Sequence, residues 1–281
     1  MLLGGTVAGT FASVEEWEQA LVASRFRAIT APFSCETNRS EVDACVRAAA
    51  RQGVVIAEIG VWRNLFDPDP KKAAAALEYA KGQLRLADEL GIACCVNIAG
   101  TAGTAGWDAA DVSNYAPETY DRLVECVRGI IDDVRPKRAF YCLEPMPWML
   151  PDSPEVYVQL IRDVDRRQFG AHMDFVNMIN SPRRYLMAGA FIEECFRTLA
   201  PWIKSTHIKD SRMHPTRLTT TLEETPPGEG GLDYAGVLRV IDRWLPADAP
   251  VLLEHMATRE AYAAAYDYVA ARAAEAGVDI T

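Results

Sequence analysis

The stretch FYCLEPMPW, residues 140–148, is an apolar run that ends on one carboxylate and is then stopped by two prolines. The apolar residues are typical of a buried strand, and proline cannot continue the hydrogen bonding of a sheet. The predicted strand therefore ends at Glu144. A buried carboxylate without a partner loses its hydration at a high cost in free energy. Glu144 thus requires a partner, either a lysine in a structural ion pair or a metal ion with a substrate.

Similar apolar runs occur along the whole chain and alternate with longer amphipathic stretches. The predicted strands are Leu2–Gly5, Phe26–Thr30, Val54–Ile59, Ile92–Ile98, Ala139–Glu144, Gly170–Phe175, Ile203–Ile208 and Pro250–Glu254. The predicted helices are Val14–Ala23, Arg39–Gln52, Lys71–Leu90, Pro117–Val134, Pro154–Arg167, Ala188–Leu199, Asp233–Trp244 and Arg259–Ala276. Strands that alternate with helices are typical of a parallel sheet. Eight such units predict an α/β fold, a single (β/α)8 TIM barrel over residues 1–281.

The charge balance limits the partners of the protein. The 29 Lys and Arg residues face 39 Asp and Glu residues, which gives a formal net charge of -10 and a pI near 5.0. Such a chain lacks the basic surface that binds the phosphates of nucleic acids or an anionic membrane. We expect a small-molecule partner, no nucleic acid and no membrane, while self-association into a homo-oligomer stays open.

The cysteines and the hydropathy indicate a compartment. Seven cysteines make an odd number without a CxxC spacing, and several of them lie in apolar runs. This pattern is typical of free thiols in a reducing environment. No apolar window is long enough to span a bilayer, and the N-terminus lacks the basic region that begins a secretory signal. We expect a cytoplasmic protein.

Metal-binding residue types occur at the carboxyl ends of four successive late strands. These residues are Glu144, Asp174, His207 and Glu254. In a (β/α)8 barrel, this end of the strands and the loops after it form the catalytic face. Three carboxylates and one imidazole suit a divalent ion such as Mn²⁺, Mg²⁺ or Co²⁺, with positions left for substrate oxygens. The pattern predicts one metal site at this end of the barrel.

Five segments, LEP, HMD, HIKD, PGEGGLDY and LLEH, in this order, resemble the xylose-isomerase-like TIM-barrel superfamily of sugar phosphate isomerases and epimerases. The resemblance begins near residue 54 and is most specific between residues 140 and 256. In the tagatose and psicose 3-epimerases, a Glu-Asp-His-Glu quartet holds one metal ion, often manganese. The resemblance implies that Glu144, Asp174, His207 and Glu254 bind Mn²⁺, with Mg²⁺, Co²⁺ or Zn²⁺ as alternatives. It also implies that Glu144 and Glu254 are the catalytic acid/base pair.

Two positions depart from the pattern of those epimerases. They usually carry a histidine three residues after the metal aspartate, where this chain has Asn177. They carry an arginine six residues after the metal histidine, where this chain has Met213. Both positions touch the substrate in the relatives, so the resemblance implies a similar metal site with a different substrate.

Further polar and aromatic residues lie at or just after the predicted strand ends. The candidate substrate-binding residues are Glu58, Asn97, His172, Asn177, Lys209, Trp62 and Trp148. Several have a structural alternative. His172 is also interpreted as a hydrogen-bonded barrel residue, and Lys209 as a counter-charge for carboxylates such as Glu144 and Glu254. The two tryptophans either form an apolar wall over the ligand or pack at the surface.

The leading functional hypothesis is a divalent-metal-dependent isomerase or epimerase of a small keto sugar or sugar derivative. A proton beside a carbonyl is weakly acidic, and a divalent cation stabilises the enediolate that its removal leaves. Glutamates within reach then take and return the proton. Two alternatives stay open. One is a metal-dependent lyase or dehydratase on a keto-inositol, dehydroshikimate-like or 3-keto-glycoside substrate, and the other is a non-catalytic sugar-binding barrel.

Overall fold

Eight parallel strands close into a barrel in a computed structural model that describes residues 1–281. The barrel strands are β1 (Leu2–Gly5), β2 (Ala28–Thr30), β3 (Val55–Gly60), β4 (Cys94–Asn97), β5 (Phe140–Leu143), β6 (Phe169–Asp174), β7 (Ile203–Ile208) and β10 (Pro250–Leu253). Each strand pairs with the next one along the chain, β7 pairs with β10, and β10 pairs with β1. The predicted (β/α)8 barrel is confirmed.

Helices connect the strands and cover the outside of the barrel. They are α1 (Val14–Ser24), α2 (Arg39–Arg51), α3 (Pro70–Leu90), α4 (Pro117–Val134), α5 (Pro154–Val164), α6 (Phe175–Met178), α7 (Pro182–Leu186), α8 (Ala188–Leu199), α9 (Tyr234–Trp244) and α10 (Arg259–Ala276). The ends of α3 follow from local sequence: the Asp69 side chain accepts a hydrogen bond from the backbone N–H of Lys71, and Gly91 ends the helix with φ 76°. None of the helices combines the length and apolarity needed to cross a membrane.

The alternation of side chains along β5 explains how Glu144 reaches the site. Residues two apart on a strand share a face. Tyr141 and Leu143 pack into the main core between barrel and helices. Cys142 belongs instead to a separate apolar group with Cys94 and Val96, the next inward positions on β4. Glu144 continues the inward row at the carboxyl end of the barrel.

An antiparallel hairpin follows β7 and was not among the predicted elements. Its strands are β8 (Asp210–Met213) and β9 (Leu222–Thr225). The Asp210 carboxylate lies at the base of the hairpin and accepts hydrogen bonds from three backbone N–H groups, those of Ser211, Gly228 and Leu232. This carboxylate holds the hairpin and the PPGEGGLD segment together beside the barrel mouth. At the end of that segment, Asp233 caps α9 by accepting from the Gly236 N–H.

Candidate active site

The four side chains predicted to bind metal lie at one end of the barrel. Asp174 is the last residue of β6 and His207 is the fifth residue of β7, while Glu144 and Glu254 directly follow β5 and β10. All four are buried, with at most 8% of any of them exposed. Because each comes from a different strand, only closure of the barrel brings them together.

His207 is the centre of this cluster. Its Nδ1 lies 2.7 Å from Glu254 Oε2 and 3.5 Å from Glu144 Oε1. These separations match the roughly 3 Å between neighbouring ligand atoms around one small divalent cation. His207 Nδ1 is fully buried and, despite these short contacts, makes no well-aligned hydrogen bond. One ligand atom each from Glu144, His207 and Glu254 lies within 4.8 Å of the other two.

Glu58 fixes the orientation of His207 from the opposite side. The other imidazole nitrogen, Nε2, lies 2.8 Å from Glu58 Oε1, and it must donate because a carboxylate only accepts. Glu58 Oε2 also accepts from Ser205 Oγ at 2.7 Å and lies 3.2 Å from His172 Nε2. Burial opposes ionisation of Glu58, but His207 and His172 outweigh it and keep its pKa below the usual range. A histidine that donates to a carboxylate in this way is the usual arrangement around a protein-bound metal.

Asp174 joins the cluster through Lys209. Asp174 Oδ1 accepts from the Asn177 backbone N–H at 2.9 Å, and its Oδ2 lies 2.7 Å from Lys209 Nζ. The same ammonium lies 2.6 Å from Glu254 Oε1. The structure therefore brings three of the four predicted ligands directly together, and it places a lysine between the fourth and Glu254.

The site carries an excess of negative charge. Four carboxyl groups, those of Glu58, Glu144, Asp174 and Glu254, are buried here with Lys209, the one buried lysine. Burial raises the pKa of Asp174 well above its ordinary value despite Lys209, so the three glutamates carry most of the negative charge. Burial opposes the imidazolium form of His207, but the carboxylates of Glu254, Glu58 and Glu144 outweigh it and raise the pKa of His207 well above its ordinary value. A divalent cation at His207 Nδ1 would supply the missing positive charge and a partner for that nitrogen. The residues present fit a divalent ion.

A cavity of about 890 Å³ opens directly above this cluster. Five of the predicted site residues line it: Glu144, Glu254, Asn177, Trp62 and Trp148. The Asn177 amide lies 3.4 Å from Glu144 Oε1, so it contacts a predicted ligand as well as the cavity.

The other predicted residues lie outside the cavity wall. Asp174, His207 and Lys209 lie beneath it in the charged cluster, and Glu58 and His172 lie further down against His207. Asn97 has a different role, because its amide accepts from the Arg63 backbone N–H at 3.2 Å and donates to the Arg63 carbonyl at 3.0 Å. Asn97 thereby holds the loop after β3 in place.

Several lining residues were not predicted from the sequence. They include Trp107, Asp108, Met146, Ile179, Leu222, Glu224 and His255. Glu224 comes from the hairpin and lies 3.1 Å from Lys209 Nζ and 2.8 Å from His255 Nδ1. His255 directly follows Glu254, in a left-handed backbone conformation with φ 58°. The LLEH segment pointed to this region of the barrel, but nothing in the sequence indicated that the hairpin brings Glu224 there.

Solved structures with the same fold include proteins of several activities. A xylose isomerase-like TIM barrel protein from Mycobacterium smegmatis, in complex with magnesium, has a TM-score of 0.69 at 17% identity, covering 98% of this chain and 97% of that one. The D-psicose 3-epimerase of Clostridium cellulolyticum H10, in a structure with D-tagatose, has a TM-score of 0.70 at 13% identity. The match covers 96% of this chain and 99% of the epimerase chain. The 3-keto-D-glucoside 4-epimerase of E. coli gives the same values.

No curated protein sequence matches the chain. A family model does, and it spans residues 18–272, from α1 to α10. That range contains every residue of the charged cluster and of the cavity wall. The chain belongs to the xylose isomerase-like TIM-barrel family.

Proposed function

We propose that the protein is a divalent-metal-dependent isomerase or epimerase of a small keto sugar or sugar derivative. The observation that carries the proposal is the buried cluster under the cavity. There, His207 Nδ1, which makes no well-aligned hydrogen bond, faces Glu144 and Glu254, and both carboxylates also line the cavity. This position supports a role for the same two side chains in binding both a cation and a substrate.

Glu144, His207 and Glu254 would hold the ion, with Asp174 completing the set once Lys209 is displaced from it. When bound, a divalent ion supplies Lewis-acid stabilisation of the negative charge that develops on substrate oxygens. Glu58 keeps the His207 Nε2 proton in place, so that Nδ1 presents its lone pair to the ion. Mn²⁺ is our first choice, since the donor set is rich in oxygen.

Glu144 and Glu254 are the proton-transfer groups in this proposal. Burial opposes their ionisation, but His207 outweighs it at Glu254, together with Lys209, and the pKa of Glu254 falls well below its usual value. The pKa of Glu144 is also lowered despite burial and despite Glu254, because of His207. Both are carboxylates at neutral pH and can accept a proton from the carbon beside a substrate carbonyl. Return of the proton by the other glutamate gives an epimer, and return to the neighbouring carbon gives an isomer.

The comparisons support a keto-sugar substrate. Two of the structurally similar proteins are named as epimerases of D-psicose, a keto sugar, and of a 3-keto-D-glucoside. The structure of a third contains magnesium. Their low identity to this chain makes them evidence for the fold, while the charged cluster carries the chemistry.

The experiment combines metal analysis with proton exchange. Purified protein is stripped with a chelator, reloaded with Mn²⁺ and incubated with ketoses in heavy water. We expect deuterium to enter the carbon beside the carbonyl only in the reloaded protein. Glu144→Gln and Glu254→Gln should each lower the exchange rate by at least about 100-fold, as expected for loss of a general base. Glu194→Gln is the control, because that side chain is half exposed on α8, away from the site. Exchange at an unchanged rate in both site variants would contradict the proposal.

A further inference from the structure

The cavity wall has little positive charge to bind an anionic substrate, because its one basic side chain, His255, already contacts Glu224 at 2.8 Å. None of its residues is a lysine or an arginine, whereas Asp108, Glu144, Glu224 and Glu254 all contribute carboxylates. Lys209 lies nearby but is only 2% exposed, and its ammonium already contacts three carboxylates. Away from the proposed cation, a phosphate or carboxylate group would face these acidic side chains without a free counter-charge. The wall therefore favours an uncharged substrate.

Three of the six tryptophans of the chain lie in this wall: Trp62, Trp107 and Trp148. Trp107 and Trp148 are 42% and 39% exposed, although most large apolar side chains in the protein are buried. Exposed aromatic residues grouped in a concave site are typical of ligand contacts. The cavity thus has an aromatic outer part above its acidic floor.

Trp148 is held in position by two hydrogen bonds. The Trp148 indole N–H donates to the Asp108 carbonyl at 2.8 Å, and the Trp148 carbonyl accepts from the Asn114 side chain at 3.1 Å. Both bonds tie the loop after β5 to the loop after β4. The Trp148 part of the aromatic surface is therefore formed before any ligand binds, which lowers the entropic cost of stacking on it.

Trp62 closes the inner side of the aromatic part. It has a left-handed backbone conformation, φ 48°, which is strained for a bulky residue. Its indole lies over Gly60 so closely that an added Cβ at Gly60 would be 1.8 Å from Nε1. Strain of this kind is retained mainly at functional sites.

The size of the cavity exceeds the needs of one sugar ring. Its volume of about 890 Å³ is near the upper end of the roughly 300–1,000 Å³ found for sites that enclose drug-sized ligands. A keto-sugar ring in contact with Glu144 and Glu254 would leave the outer, tryptophan-lined part of the cavity unfilled. A second, flat and apolar group attached to the sugar matches that part in both shape and polarity.

We infer that the substrate is an uncharged keto-glycoside, with its sugar ring at Glu144 and Glu254 and a flat apolar aglycone stacked on Trp107 and Trp148. This inference rests on the proposed function, since the keto-sugar chemistry sets the position of the ring. It excludes sugar phosphates and makes free ketohexoses poor substrates. Trp107 and Trp148 are then specificity-determining residues.

The test compares the binding of small-molecule probes to the Mn²⁺-loaded protein by calorimetry. The probes are phenyl glucoside, methyl glucoside and fructose 6-phosphate. We expect phenyl glucoside to bind about 3- to 10-fold more tightly than methyl glucoside, the gain typical of one aromatic stack, and fructose 6-phosphate to bind most weakly. Trp107→Leu and Trp148→Leu should each reduce the phenyl preference, with thermal unfolding measured to show that both variants fold. Trp244→Leu is the control, because Trp244 lies on α9 and bonds to Glu193, outside the cavity.

Equal binding of the phenyl and methyl probes, or the tightest binding by fructose 6-phosphate, would overturn the inference. Deuterium exchange into a ketose tests the proposed reaction separately. Exchange without any phenyl preference refutes the aglycone site alone. A phenyl preference that needs Trp107 and Trp148, in a protein that shows no exchange, supports the aglycone site and refutes the reaction.

Discussion

Replacement of Glu58 by glutamine tests whether this residue orients His207 for metal binding. The Glu58 carboxylate is 1% exposed and accepts from Ser205 and from two histidines. The amide of Glu58→Gln has the same shape but one acceptor atom instead of two, so at least one of these donors loses its partner. A hydrogen bond to a charged group contributes about 1.5–3 kcal/mol, and the free energy of unfolding should fall by about 2–4 kcal/mol. Loss of an outer partner of a ligating histidine should weaken metal binding about 10- to 100-fold.

Two measurements on chelator-stripped protein give these values. Calorimetric titration with Mn²⁺ gives the affinity, and urea denaturation gives the free energy of unfolding. Ser205→Ala is the matched control, because it removes one donor to Glu58 and leaves the carboxylate at His207. We expect Ser205→Ala to bind Mn²⁺ within about threefold of the wild type. Wild-type Mn²⁺ affinity in a folded Glu58→Gln variant would refute the role of Glu58 as a positioning residue.

Three further predictions concern pH, packing and the hairpin. The pKa of His207 is raised in the folded protein, so protonation of His207 stabilises the metal-free protein. This stabilisation is fully present below pH 6.5, which is near the pKa of histidine in the unfolded chain. It is lost as the pH rises through the higher pKa of His207 in the folded protein. Because the ion takes the place of that proton, Mn²⁺ affinity should increase with pH, and titrations in two buffers should detect proton release. Gly60→Ala should displace the Trp62 indole, which titration would register as weaker phenyl glucoside binding. Asp210→Ala should lower the free energy of unfolding by about 2–4 kcal/mol in urea, since three backbone N–H groups lose their acceptor.

The barrel was predictable because its strands are buried on both faces. Such strands are continuous apolar runs, as in Phe140–Leu143, and a polar residue at the end of a run then marks the carboxyl end of the barrel. The β8–β9 hairpin was not predictable. Its strands read DSRM and LEET, which are short, polar and partly exposed, and no alternation of apolar residues distinguishes them from a loop.

The sequence indicated which strand-end residues lie at this end of the barrel, but not the depth of each one or the further residues that line the cavity. The two-residue period indicates that His172 and Asp174 share the inner face of β6, but it does not indicate how far below the cavity each of them lies. That depends on how the strands are staggered around the barrel, and β6 shifts register against β7 between Ala171 and His172. The contacts of Lys209 with Asp174 and Glu254 join three strands, so no local pattern could reveal them.

The thiols of Cys94 and Cys142 lie inside the barrel, beneath the cavity floor. Neither residue has measurable exposure, and burial raises the pKa of the Cys94 thiol well above its ordinary value, which leaves almost no reactive thiolate. An alkylating reagent can reach them only when strands β4 and β5 separate. The rate at which these cysteines are labelled therefore measures how often the closed sheet opens, without any change to the sequence. Slower labelling after addition of Mn²⁺ would show that the cation holds the strands of the barrel together.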